Sequence, residues 1–517
     1  RRAGAPPRMA LPVDDMGGFE LQRKLGEGSF AEVTSGSSDV DAVLRGGGSA
    51  SVSSARVRVG LFYGELKGLG VSGTRILVKA YSADGQPPWA EEPGPDVRAK
   101  LEALFEGDGS SDAVGEEPAA AAAAAAALEA SVSGRKSSAR LAEALALNEY
   151  AAHARVQRTA GPAGGSDDIE KRGVTRLLGR VIEREGEGES GGSTVIMHAF
   201  PWRGEVTRMA MPTRLPPTLG SWLVQCAQGA TAGQSKWKGV PLRAAEQRGR
   251  FARATLRGAL RGLDELHRAG LVHQGLGPSA VLVSSEDCFT TGDKALGTLQ
   301  ELGFARDASS LYPAYYVASD GLSLSDYGEA VESGNAAPDD PLDLGLKERA
   351  MRRTLRPGDP FERARFARAD DMREFGLLLL GALVLPNAPP GAIEPLQLRS
   401  LTDGAFAASD ADGMKTDGVD VAGLRAYLAA DDSLRVGGER DGRVGGVELL
   451  DAGGKSSSGG GTEADANADA GVPRGSGWEL LGRLLSAEWD ERPSAEEALA
   501  HPFWEATMSP KPVKVVS

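Results

Sequence analysis

The strongest constraint in this sequence is the order of its apolar periodicities. Strand-like runs come first and helical faces follow. Phe19 to Leu25, Arg75 to Tyr81 and Val195-Ile196-Met197 read as short strands, the second carrying Ile76-Leu77-Val78 ahead of Lys79. Further along, Leu256, Leu260, Leu263 and His267 fall on one helical face, spaced four, three and four residues apart. Phe375 to Val384 reads as a buried helix, and Leu480, Leu481, Leu484 and Leu485 mark another helix face. This order predicts an α+β fold with a small β-rich part followed by a larger helical one. The longest apolar stretch, Phe375 to Pro386, is about twelve residues, against roughly twenty for a membrane span, so no transmembrane segment is expected.

Glycine separates these pieces. The chain holds 69 Gly and 29 Pro among 517 residues, roughly a fifth of the total where about 12% is ordinary. There is no Gly-X-Y period, which excludes collagen. Much of the glycine sits in four stretches that read as insertions: 34–54, 91–138, 211–240 and 387–477. The second contains nine alanines, Ala119 to Ala127, with good helix propensity but no polar/apolar pattern to dock them. Within the last, Asp410 and Asp412-Gly413 resemble a calcium loop. The other ligands are absent and Val419 stands where the closing Glu belongs, so that reading fails.

A formal net charge of -14 repels nucleic acid and anionic membranes, and no nucleic-acid partner is expected. A protein partner fits the charge, but nothing identifies one. Cys226 and Cys288 are far apart in sequence and suggest neither a metal site nor a disulfide framework. The opening Arg1 to Arg8 is basic, with no acid before Asp14. It reads as a transit-peptide remnant or as an ordinary tail over residues 1–18.

Candidate chemistry begins at Leu25-Gly26-Glu27-Gly28-Ser29-Phe30-Ala31-Glu32-Val33. Alternate glycines after a strand let a turn approach phosphates, and its N–H groups can donate to them. Phe30 and Val33 make the pattern more specific. The segment resembles the glycine-rich loop of protein kinases, with Ala31 in place of the third glycine. The resemblance implies a strand Lys and a helical Glu paired with it. Ile76-Leu77-Val78-Lys79 fits the Lys, and Glu149 fits the Glu, with Glu143 as competitor. It also places Met197 at the back of an adenine pocket, although a core methionine explains that residue equally well.

Leu266-His267-Arg268-Ala269-Gly270-Leu271-Val272-His273 is similar to the approach to a kinase catalytic loop, His-Arg-Asp-Leu-x-x-x-Asn. Here the loop reads His273-Gln274-Gly275-Leu276-Gly277-Pro278-Ser279-Ala280. His273, Leu276 and Pro278 keep the frame. Gly275 replaces the catalytic carboxylate, Gly277 a lysine, and Ala280 the metal-binding Asn. None of the three can accept a proton or ligate Mg²⁺ through a side chain. Downstream, Gln300-Glu301-Leu302-Gly303-Phe304 resembles the metal-binding segment and puts Glu301, one methylene too long, at its Asp.

Asp371-Met372-Arg373-Glu374-Phe375-Gly376 resembles the start of the buried kinase helix, whose Asp caps the catalytic-loop backbone. Tryptophan is usual where Arg373 stands. Glu491-Arg492-Pro493-Ser494-Ala495-Glu496-Glu497-Ala498-Leu499 to His501-Pro502-Phe503 is similar to the final kinase subdomain. Arg492 is expected to pair with a Glu ending the preceding segment, for which Glu362 is the candidate. A softer resemblance joins the degenerate loop and residues 349–371 to kinase-like proteins of plant and algal plastids.

The resemblance thus implies a two-lobed protein-kinase-like domain over 19–505, with an N-lobe over 19–200, a C-lobe over 201–505 and a tail over 506–517. Its implied function is that of a pseudokinase acting as a regulatory or scaffold module, with ATP held by Gly26, Gly28, Val33, Lys79 and Glu149. An active or weakly active serine/threonine kinase is the alternative, with Glu301 or Asp307 as the carboxylate and Mg²⁺ as its metal. A structural subunit without nucleotide is the third. A plastid location is expected, with a cytoplasmic one as alternative.

Overall fold

The computed structural model describes residues 19–35, 50–66, 75–83, 142–143, 146–159, 168–184, 194–201, 216–227, 241–273, 276–300, 302–308, 315–318, 360–389, 392–393, 395–409, 415–431, 434, 436–438, 442–452 and 472–506. The expected 91–138 insertion, both chain ends, Gln274, Gly275 and Glu301 lie outside them.

The β-rich part forms as its sequence order predicts. Its strands are β1 (Phe19–Ser35), β2 (Ala50–Leu66), β3 (Arg75–Ala83), β4 (Gly179–Arg184) and β5 (Thr194–Pro201). Later strands are β6 (Leu271–Val272), β7 (Val281–Val283), β8 (Gly297–Leu299), β9 (Arg306–Asp307) and β10 (Tyr315–Ala318). A six-stranded antiparallel sheet runs in the order β10-β1-β2-β3-β5-β4. Strand alternation sorts β3 onto two faces. Ile76, Val78 and Ala80 join Phe62, Leu178, Val181, Met197 and Ala199 in one apolar cluster. Leu77, Lys79 and Tyr81 take the opposite face, across from Phe200, His198 and Ile196 of β5.

A helix over 146–159, α1, lies against that second face through Glu149. Its Ala152 and Val156 pack with Leu266, Leu271, Leu302 and Ala305, so α1 touches both the sheet and the helical part. The other described α-helices of five or more residues are α2 (Leu219–Ala227), α3 (Pro241–Arg268), α4 (Pro360–Val384), α5 (Pro395–Ser400), α6 (Val421–Ala430), α7 (Gly446–Leu450), α8 (Gly477–Leu484) and α9 (Ala495–Leu499). Among the described residues, no helix is long and apolar enough to cross a membrane.

Helix α3 is the spine of the helical part. Pro241 opens it, where a missing N–H costs nothing. Gly270 closes it at φ +74, donating its N–H to the His267 carbonyl. Leu256, Leu260 and Leu263 are fully buried, each contributing roughly 1.5–3 kcal/mol of transfer free energy. Beside them Gly258 and Gly262 meet Gly297 of β8 and Gly173, backbone against backbone. A Cβ on Gly258 would sit 2.9 Å from the Gly297 nitrogen, and one on Gly173, at φ +86, would sit 2.6 Å from the Gly262 nitrogen. Glycine here is a close-packing residue, whereas composition had suggested mostly insertion filler.

The insertions also differ from expectation. Stretch 387–477 supplies α5, α6 and α7, and its Leu398, Leu424, Leu428, Val447, Leu449 and Leu450 share one core with α3 and α4. Leu424 and Leu428 are four apart, a helical spacing that the acidic, glycine-rich composition around them obscures. Stretch 211–240 contributes α2, whose Trp222 packs tilted on Phe251 with ring centroids 4.8 Å apart. Stretch 34–54 is partly ladder, since β1 runs to Ser35 and β2 begins at Ala50.

Candidate functional site

Lys79 and Glu149 meet, although 70 residues separate them. Lys79 Nζ donates to Glu149 Oε1 at 2.8 Å. Strand β3 aims Lys79 off the sheet face that α1 covers, and α1 presents Glu149 from the middle of its buried stripe. The carboxylate is saturated with donors. Tyr81 Oη donates to Oε2 at 2.8 Å, and His198 Nδ1 lies 2.7 Å from the same oxygen. A carboxylate only accepts, so Nδ1 carries the hydrogen. Glu149 is 0% exposed. Burial alone would raise its carboxyl. The Lys79 charge and the His198 hydrogen bond outweigh that and hold it well below the usual range. Lys79 also lies 5.3 Å from the Tyr81 ring centroid.

Sequence reasoning found Lys79 and Glu149 but missed Tyr81, His198 and His153. The signal was present. Tyr81 is two residues beyond Lys79 on the same strand face, and His153 is four beyond Glu149 on the same helix face. His198 stands opposite Lys79 in the β3–β5 register. Glu143 is exposed, away from this contact.

Met197 is placed differently from the adenine-pocket expectation. It pairs with Ala80 and lies 3% exposed in the opposite apolar cluster, so it faces away from Lys79. One residue of register decides this, because neighbours on a strand point to opposite faces. Phe200, with Leu61, Leu77 and Leu177, forms the apolar cluster on the Lys79 side.

Gly26 and Gly28 also sit differently. A turn was expected there, but β1 continues through them, pairing Gly26 with Leu61 and Gly28 with Val59. Val33 lies further along the same strand, flanked by Val52 of β2 and Tyr315 of β10. The strand bulges at Lys24/Gly26 and Ala31/Val33, and the chain reverses only beyond Ser35. The long β2 partner, only whose first residues fall in the supposed insertion, extends the ladder past the glycines.

The degenerate loop is anchored from behind. Asp371 Oδ2 accepts the His273 backbone N–H at 2.7 Å and lies 3.0 Å from His267 Nε2. This carboxylate ties the end of α3, the turn and α4 together. His273 Nε2 lies 3.0 Å from the Gln300 carbonyl, and burial pushes this imidazole below its usual range. Asn148 on α1 donates to the carbonyls of Gly303 and Ala305, at 2.8 and 2.6 Å. The segment after Glu301 is therefore clamped to α1 one residue from Glu149.

Ala280 is fully buried, and its methyl offers no metal ligand. Gly277 supplies only backbone, as the residue preceding a short turn over Pro278–Ala280. Among the described residues, no group of three or more His, Cys, Asp or Glu can hold a metal. Gly277 and Ala280 thus supply no side-chain ligand for Mg²⁺. Arg492 donates to the carbonyls of Ser486 and Ala369; the Glu362 side chain lies outside the described residues. Arg373 is 1% exposed and closes a ring with Glu374, Asp403 and Arg399.

No protein-family model matches the chain, and no curated protein sequence matches it either.

Proposed function

We propose that the chain is a two-lobed, protein-kinase-like pseudokinase that holds ATP through Lys79 and acts as a regulatory or scaffold module. The observation that carries this reading is the buried 2.8 Å ion pair between Lys79 and Glu149, which joins an antiparallel sheet to a helix. The Asp371 cap on His273 supports it. One Lys79 hydrogen goes to Glu149, and the ammonium has two more for a phosphate oxygen. Gly275, where the resemblance expects the carboxylate base, argues against robust phosphoryl transfer, because losing a positioned base costs roughly 10²–10⁴-fold, and Gly277 and Ala280 remove the side chains expected to position charge and metal.

The test is calorimetric titration with ATP, with and without Mg²⁺, alongside thermal unfolding and radiolabelled phosphate incorporation. ATP at about a hundred times its Kd is expected to stabilise the fold by about 2.7 kcal/mol. Lys79→Ala is expected to abolish that gain, and neither protein is expected to incorporate label. Incorporation lost in Lys79→Ala would establish the kinase alternative instead. Absence of any ATP binding would leave the structural-subunit reading, which the continuous ladder through Gly26 and Gly28 favours.

A further inference from the structure

Two imidazoles press on the Lys79–Glu149 pair. His153 on α1 and His198 on β5 are both 0% exposed. The His153 ring packs edge-on to Phe200, centroids 5.5 Å apart, and His198 packs edge-on to Tyr81 at the same separation. The charged and titratable groups acting on His153 are Glu149 on its own helix, His198 on β5 and Lys79 on β3, and among the described residues neither of its buried ring nitrogens has a hydrogen-bond partner. The charges of Lys79 and Glu149 cancel, and the single carboxylate already takes three donors. A further proton adds a second cation to a buried site where, among the described residues, Glu149 is the one carboxylate acting on His153.

We propose that this cluster is an acid-sensitive latch: neutral His153 lets α1 dock on β3 and β5, and protonation of His153 releases α1 and parts Glu149 from Lys79. Burial pushes the imidazole down to about 4, from an ordinary value near 6.5. The released helix therefore binds the proton more readily than the docked one. Docking is at full strength above about pH 6.5 and weakens as pH falls toward about 4. Glu149 acts in the same direction, but only below its ordinary value of 4.5.

The experiment is hydrogen exchange on the full chain from pH 8 to 4, corrected for intrinsic exchange rates. Protection over 146–159 is expected to be flat above pH 6.5 and to fall about tenfold per pH unit below it, one proton per opening. His153→Phe keeps the ring contact with Phe200 and is expected to flatten the profile down to about pH 4.5. Equal slopes in both proteins would overturn the latch. Should His153→Phe fail to fold, NMR titration of the wild-type histidines decides. An imidazole that stays neutral to below pH 5 supports the latch, and His153 titrating near 6.5 in the folded chain refutes it.

Discussion

Replacing Lys79 by Met should turn a stabilising contact into a buried, uncompensated charge. At 2.8 Å and an effective dielectric of about 20, the Coulomb attraction is about 6 kcal/mol. Desolvation offsets part of this in the native pair. Its loss should cost about 3–5 kcal/mol, because Glu149 stays buried after its partner has gone. Glu149→Gln in the same chain removes the charge and keeps an acceptor for Tyr81 and His198, so the double variant should lose only about 1–2 kcal/mol. The pH dependence follows from the direction of the shift. In the native protein the Glu149 carboxyl is held low, so its contribution is present above about pH 4.5 and lost as pH falls. Without Lys79, burial raises that carboxyl. Its penalty is then largest at neutral pH and shrinks as acid protonates it. Urea unfolding followed by tryptophan fluorescence, at pH 7 and pH 5, measures all of this from the midpoint at constant slope. A Lys79→Met cost under about 1 kcal/mol, or a double variant no milder than the single, would refute the reasoning.

Three further variants probe the frame. Gly258→Ala in an exposed helix would gain roughly 1 kcal/mol of propensity, but here its Cβ meets the Gly297 backbone. It should lose about 1–3 kcal/mol instead, seen as a lower urea midpoint. Arg373→Met should cost about 3–5 kcal/mol by leaving Glu374 and Asp403 to Arg399 alone, read by the same unfolding curve. Ser494→Ala removes a capping box in which Ser494 Oγ accepts the Glu497 N–H and Glu497 answers on the Ser494 N–H, and should cost about 1 kcal/mol by thermal unfolding.

Local pattern made some of the site legible. Three apolar residues ahead of Lys79 predicted a strand, and the strand formed. Glu149 lay in an apolar helical run, and Asp371 preceded an apolar run that is buried in the second half of α4. What stayed hidden depended on partners distant in sequence. Whether Gly26 and Gly28 form a turn or a ladder rests on how far β2 extends, and no strand was read from the sequence over 55–66. Which face Met197 takes rests on one residue of register.

The sequence by itself determined that the first strands precede the long helices, because apolar period is a local property. It also determined what the segment after His273 lacks: Gly277 and Ala280 have no functional side chain in any fold. Only the tertiary structure decided that Lys79, Tyr81, Glu149, His153 and His198 form one buried cluster, because those contacts join β3, α1 and β5 across the fold. It likewise decided that glycine serves as packing at Gly173, Gly258, Gly262 and Gly297, where backbones approach too closely for any Cβ. A glycine count carries no information about distance, and distance separates a filler glycine from one the fold requires.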